Sequence, residues 1–161
     1  MTALDRPGLA RRVLLDAVRV SNLFDRRWGA VTQRADITSA QWLTLGLLVR
    51  EGGEVGFSPT ELCRRLCVSK QNMTGMIGRL EAKGLIERRP DSHDRRSFRV
   101  LTTEAGTTAV STLAPFEDEF FLRHVDGLDE EQLRETLRCL RTVLEHLEAE
   151  EKRAKKAAAA S

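Results

Sequence analysis

The sequence predicts a mainly α-helical chain with one small β element, and three observations carry that expectation. Apolar residues recur at spacings of three and four along most of the chain, which is the period of a helix face. Three segments open on the same capping signal: Thr38 with Gln41, Ser58 with Glu61, and Asp129 with Gln132. The period changes only after Gly84, where residues 85–89 and 97–101 read as two short strands around a loop of turn-forming and charged residues.

Taken in order, residues 8–32 place Leu9, Val13, Ala17, Val20, Phe24, Trp28 and Val31 on one face of a long first helix. Thr38 caps a second, with Ile37 set to staple onto Trp42, and Gly52-Gly53 stops it just beyond Arg50. A short extended piece, residues 54–57, leads to Ser58, with Pro59 at the first helical position and Phe57 facing Leu62; this helix ends near Cys67. Ser69 caps the next, which runs to about Lys83 and closes on Gly84, a residue that tolerates left-handed backbone. Helix, tight turn, helix is the outline of a helix-turn-helix. Two strands joined by a basic loop directly after it make a wing.

Thr102 is expected to cap a further helix with Val110, Leu113, Phe116, Phe120 and Phe121 on its apolar side, kinked at Pro115 and ended at Gly127. Asp129 opens the last helix, Leu128 stapling onto Leu133. Leu133, Leu137, Leu140, Leu144 and Leu147 then follow at spacings of 4, 3, 4 and 3. That seam is coiled-coil-like and wants a partner helix. Residues 152–161, basic and then alanine-rich, are expected to fray.

At 161 residues the chain fits one domain, or a small domain with helical extensions. It has no apolar run of ~18 residues or more, so no membrane span is expected. Its N-terminus carries Asp5, Arg6, Arg11 and Arg12 without an apolar signal core. Three cysteines with no C-x-x-C pair suit a reducing compartment, and the expected location is the cytoplasm. The net charge of +2 hides an uneven distribution: residues 58–101 hold ten Lys/Arg against five Asp/Glu, a local +5 that leaves −3 for the rest. A basic middle between more acidic ends suggests that a polyanion meets the middle.

The helix opened by Ser69 is the most informative segment. Met73, Met76, Ile77 and Leu80 form its buried stripe; Lys70, Gln71, Thr74, Gly75 and Gly78 lie on the other side. An interior glycine costs about 1 kcal/mol relative to alanine, and two need a reason. If this face enters a major groove, the small residues let the backbone approach while Gln71, Asn72 and Thr74 reach base edges. The bland alternative is a solvated face. At the wing tip, Arg95 and Arg96 suit a minor groove, whose negative potential attracts guanidinium groups, with Asp91 and Asp94 near enough to hold an arginine in place.

These stretches resemble the multiple antibiotic resistance regulator (MarR) family. The resemblance rests on Ile37-Thr38-Ser39-Ala40-Gln41-Trp42-Leu43, on Val68-Ser69-Lys70-Gln71-Asn72-Met73-Thr74, and on Arg79-Leu80-Glu81-Ala82-Lys83-Gly84-Leu85-Ile86. It rests most specifically on Asp91-Ser92-His93-Asp94-Arg95-Arg96, followed by Leu101-Thr102-Thr103-Glu104-Ala105-Gly106. It implies a winged helix-turn-helix domain over 37–102 with dimerisation helices over 8–34 and 103–151. The implied protein is a homodimer that binds a pseudopalindromic double-stranded DNA operator, usually as a repressor. Many relatives are released by small aromatic or phenolic ligands, for which Phe24, Trp28 and Trp42 would be the contacts here. The DNA-contacting set it implies is Ser58, Ser69, Lys70, Gln71, Asn72, Thr74, Gly75, Arg79, Asp94, Arg95 and Arg96.

No cofactor or metal is expected. Cys63 and Cys67, four apart, read as core fillers, and His93 as a wing-loop residue. An enzyme is disfavoured, because there is no GxSxG elbow, HExxH pair or phosphate loop, and the acidic pairs fall at helix-capping positions. Two alternatives stay open. One is a winged helix that binds protein. The other is a thiol-responsive regulator, for which Cys139 is the candidate, since the family's peroxide-sensing branch uses a first-helix cysteine and residues 1–62 contain none.

Overall fold

The structure is a computed structural model that describes residues 5–92, 94 and 97–159. Six helices and a two-stranded antiparallel sheet form two compact units, one ending at Phe120 and the other beginning at Phe121.

In the first unit, helix α1 (Arg6–Thr32) starts where Asp5 accepts the Gly8 N–H at 3.0 Å. A short 3-10 turn ends it at Asp36, in left-handed backbone with φ 52°. Helix α2 (Ser39–Leu47) has the full capping box. Thr38 Oγ1 accepts the Gln41 N–H at 3.2 Å, and the Gln41 side chain accepts the Thr38 N–H at 2.9 Å. It runs on into a π-helical turn, Leu48–Gly52. Helix α3 (Pro59–Leu66) carries the Ser58–Glu61 box, and helix α4 (Lys70–Ala82) is capped by Ser69. Cys67, with φ 52°, makes the tight turn between them.

Strands β1 (Ile86–Pro90) and β2 (Phe98–Thr102) pair from Ile86↔Thr102 to Pro90↔Phe98, one residue later than the pattern placed each. Phe57 joins β2 through two hydrogen bonds with Val100, of 3.1 and 2.8 Å. Because Thr102 belongs to the β ladder, the cap of helix α5 (Glu104–His124) is Thr103, whose hydroxyl accepts the Gly106 N–H at 3.1 Å. Gly106 lets that first turn pass close to the backbone just before β1: a Cβ there would stand 2.0 Å from the Leu85 carbonyl oxygen. The helical assignment of α5 continues through Pro115.

Trp28, Leu45, Leu48, Leu62, Met73, Ile77, Leu80, Val100 and Leu113 fill the core, so α1 to α5 and the hairpin share one apolar interior. Packing therefore divides the chain after Phe120 and not at 102/103, because Phe120 itself packs on the rings of Phe24 and Trp28.

In the second unit, helix α6 (Glu130–Ala159) opens on the Asp129–Gln132 box, with hydrogen bonds of 2.8 and 2.9 Å. The stretch expected to fray stays helical as far as Ala159. Alanine is the best helix former, and the i,i+4 ion pairs Glu148–Lys152 and Glu151–Lys155 carry the helix into it. Leu137, Leu140, Leu144 and Leu147 each keep about half their surface.

Candidate nucleic-acid interface

The burial of one side of α4 decides what its other side presents. Met73, Ile77 and Leu80 are buried and Met76 is half-buried, which leaves Lys70, Gln71, Asn72, Thr74 and Arg79 exposed. Gln71, Gly75, Gly78 and Ala82 form the ridge opposite the core by helical geometry. Nothing in the chain's own packing asks for these glycines. A Cβ on Gly78 would meet no atom within 4 Å, and one on Gly75 would meet only the flexible end of Arg79, at 3.2 Å. Ser69 Oγ accepts the Asn72 N–H at 3.2 Å and Thr74 Oγ1 donates to the Lys70 carbonyl at 2.8 Å.

The surrounding charges fall into two groups. Arg65, Lys83, Arg88, Arg89 and Arg99 are each paired with a carboxylate, on Glu51, Asp36, Glu81, Glu87 and Glu61 respectively. Arg64, Lys70 and Arg79 are in no ion pair among the described residues. They are the cations left to meet an external anion. Ser58 is committed locally: its hydroxyl accepts the Glu61 N–H, while its own N–H donates to the Glu61 carboxylate at 2.7 Å. That backbone bond, helped by the charge of Arg99, holds the Glu61 carboxyl below its ordinary pKa.

In the wing, the Asp91 N–H donates to the Ser97 carbonyl at 3.2 Å, the Ser97 N–H to the Asp94 carbonyl at 2.9 Å, and the Asp94 N–H to the Asp91 carboxylate at 3.3 Å. Asp91 thus helps close the turn through both its backbone and its carboxylate, and Asp94 through its backbone. Arg95, Arg96 and His93 lie outside the described residues.

The residues expected to touch a ligand belong to an aromatic cluster. Trp28 is fully buried and Trp42 keeps 4% of its exposure. The two rings meet edge to face with centroids 4.9 Å apart, Phe24 stacks on Trp28 at 6.5 Å, and Phe120 packs on Trp28 at 4.7 Å. The Trp42 indole N–H donates to Glu117 at 2.9 Å, and Arg50 approaches the same carboxylate at 3.8 Å. Phe120 and Glu117, absent from the sequence reading of this cluster, lie 75 and more residues from Trp42, and no local spacing signals them.

The thiols are dispersed. Cys63 is half-buried against the core, while Cys67 and Cys139 are exposed. The Glu135 carboxylate, accepting the Cys139 S–H at 3.4 Å, pushes that thiol's pKa up, away from the reactive thiolate. Among the described residues, no group of three or more His, Cys, Asp or Glu is gathered to hold a metal, and no helix is long and apolar enough to cross a membrane.

A helix-turn-helix with a two-stranded wing, preceded and followed in sequence by long helices, defines a winged helix-turn-helix fold. Residues 35–97 match the family described as MarR. The chain is 36% identical over 106 residues to the transcriptional activatory protein BadR of Rhodopseudomonas palustris, covering 66% of this chain and 61% of BadR, less than two thirds of that relative's length. The fold is similar to that of AbsC, a regulator from Streptomyces coelicolor, with a TM-score of 0.78, 23% identity, and coverage of 92% of this chain and 99% of AbsC. It is similar also to a cysteine-to-serine variant of MarR from E. coli in complex with operator DNA, with a TM-score of 0.75, 23% identity, and coverage of 88% and 99%. Over the matched part, residues 35–97, the chain is similar to the MarR family of transcription regulators.

The open space beside Gly78 gives a direct prediction. Gly78→Ala should stabilise the protein by about 1 kcal/mol, the helix propensity difference, and Gly75→Ala by less because Arg79 must move. Urea denaturation measures both; a destabilised Gly78→Ala would mean that the glycine serves the fold after all.

Proposed function

We propose that this chain is a sequence-specific DNA-binding repressor that acts in the cytoplasm as a homodimer on a pseudopalindromic operator. The observation that carries the reading is the outward ridge of α4, with two glycines that the fold does not use beside exposed Gln71, Asn72 and Thr74 and the cations Lys70 and Arg79, in no ion pair among the described residues. Such a ridge suits close entry into a major groove, Gln71 and Asn72 reading base edges and the cations meeting phosphates. Ser58, Ser69, Gly75 and Asp94 are assigned to the same surface, and Arg95 and Arg96 to the minor groove. The operator complex of the E. coli relative supports this assignment through the fold. BadR is described as an activatory protein, which makes activation the second reading. A reporter behind the chain's own promoter, compared with and without the protein, separates the two.

Operator binding itself is tested by gel shift with competitor DNA. Affinity should fall roughly tenfold or more between about 50 and 200 mM salt if several phosphates are neutralised. Replacing Arg95 and Arg96 together with alanine should weaken binding and flatten that dependence, whereas changes at Gln71 or Asn72 should alter preference at particular base pairs. Unchanged affinity and slope in the double variant would remove the wing from the interface.

The homodimer reading rests on the half-exposed Leu137, Leu140, Leu144 and Leu147, with Leu133, along one seam of α6. Leu140→Asp with Leu144→Asp should give monomers by sedimentation and abolish operator binding. Wild-type protein that sediments as a monomer at micromolar concentration contradicts it.

We assign a small aromatic or phenolic ligand to Phe24, Trp28 and Trp42. Because Trp28 is fully buried, such a ligand must open the cluster. A coupling of about 1–3 kcal/mol would then weaken DNA binding roughly 5- to 150-fold. The chain has no tyrosine, so its emission reports Trp28 and Trp42. In a titration with aromatic acids and phenols, quenching and operator release should share one midpoint. A broad panel that produces neither leaves a constitutive DNA binder.

A further inference from the structure

Arg99, on β2, is spent inside the chain rather than on its surface. Its side chain is 22% exposed. Nη2 donates to the Gly56 carbonyl at 2.7 Å and Nε to the Val55 carbonyl at 3.3 Å, while Nη1 lies 2.9 Å from the Glu61 carboxylate and 3.7 Å from that of Asp91. One guanidinium therefore joins three pieces of chain to β2: the loop before α3, the first turn of α3 and the residue at which the wing loop begins. The planar fork of arginine makes that possible; a lysine, with a compact ammonium, supplies the charge without the geometry.

The backbone is arranged for the same contact. Gly56 has φ 66°, and a Cβ there would stand 2.2 Å from the Val100 carbonyl oxygen, so only glycine lets β2 lie this close. Phe57 and Val100 exchange two hydrogen bonds beside it. Asp91, the far end of the clamp, also accepts the Asp94 N–H and donates its own N–H to Ser97.

We infer that Arg99 is the positioning residue of the wing: it clamps the root of the hairpin to the start of α3 and so fixes where the loop bearing Arg95 and Arg96 meets DNA. The DNA half of this inference rests on the function proposed above. With its charge answered by two carboxylates, Arg99 acts through the wing and not on phosphate.

Two measurements on the full chain test it. In the free protein, Arg99→Met should speed hydrogen exchange at the Asp91, Asp94, Ser97 and Val100 amides while leaving α4 unchanged. On operator DNA it should weaken binding about two- to thirtyfold, the range of indirect positioning effects. It should add almost nothing once Arg95 and Arg96 are already alanine, because the two changes remove the same contact. Arg99→Lys should fall between wild type and Arg99→Met on both readouts, and it carries the test if Arg99→Met does not fold. Unchanged wing exchange overturns the clamp. An equal loss of affinity in both backgrounds overturns the positioning role and marks a general structural or direct phosphate one. If wild-type protein bound no operator, the proposed function would be what fails, and the exchange measurement would still decide the clamp.

Discussion

The surface of this chain depends on the burial of one stripe of α4. With Met73, Ile77 and Leu80 buried in the core cluster, the rotation of the helix is fixed, and the identity of every outward residue follows from the 100° step. Each buried side chain of this kind contributes about 1.5–3 kcal/mol, far more than the helix propensity lost at Gly75 and Gly78. The core thus supplies the stability that two interior glycines withdraw, and the ridge can be small without the helix melting. Such a surplus allows a recognition surface to be shaped by its partner instead of by folding.

The parts of this architecture legible in sequence are those whose physics is local. Thr38–Gln41, Ser58–Glu61 and Asp129–Gln132 are capping boxes three residues wide, and all three form. The buried stripe of α4 and the left-handed Gly84 follow from spacing alone. Longer reach was invisible. The strands shift by one residue because their register is set by the Phe57–Val100 bridge and by the closure of the wing at Asp91 and Ser97. That shift draws Thr102 into the ladder and passes the cap of α5 to Thr103. Arg99 counted in the sequence as one more basic residue among ten; its partners Val55 and Gly56 stand 44 and 43 positions away, and no pattern of spacing marks them.

The aromatic cluster shows the same limit from the other side. Trp28 and Trp42 fall on helix faces that any periodicity argument makes apolar, but the edge-to-face contact between them and the closure by Phe120 depend on α5 returning to α1 and α2. The Trp42–Glu117 hydrogen bond places a carboxylate, 18% exposed, against the indole edge, with Arg50 beside it. A cluster so filled by its own rings admits a ligand only by displacing one of them. Affinity there is consequently reduced by the free energy of opening, and a ligand acts on DNA binding only through a difference in its affinity for the two states.

Self-association and DNA recognition are linked by the same economy. A single wing and a single α4 offer few base contacts, whereas a symmetric pair reads two half-sites about one helical turn apart, ~34 Å. The exposed leucines of α6 repeat at heptad-like spacing over four turns, and α1 leaves Leu9, Val13 and Val20 more than half exposed. Neither surface is covered within its own unit. Pairing that buries them stabilises the fold by mass action, so the free energy of dimerisation becomes part of the free energy of the folded state. In the proposed homodimer, an operator with two-fold symmetry would bind the pair better than the monomer and so favour the dimer further. Under the proposed function each of the three equilibria, folding, pairing and DNA binding, would then be shifted by the other two. In that scheme a weakness in the α6 seam would lower operator affinity through the pairing equilibrium alone.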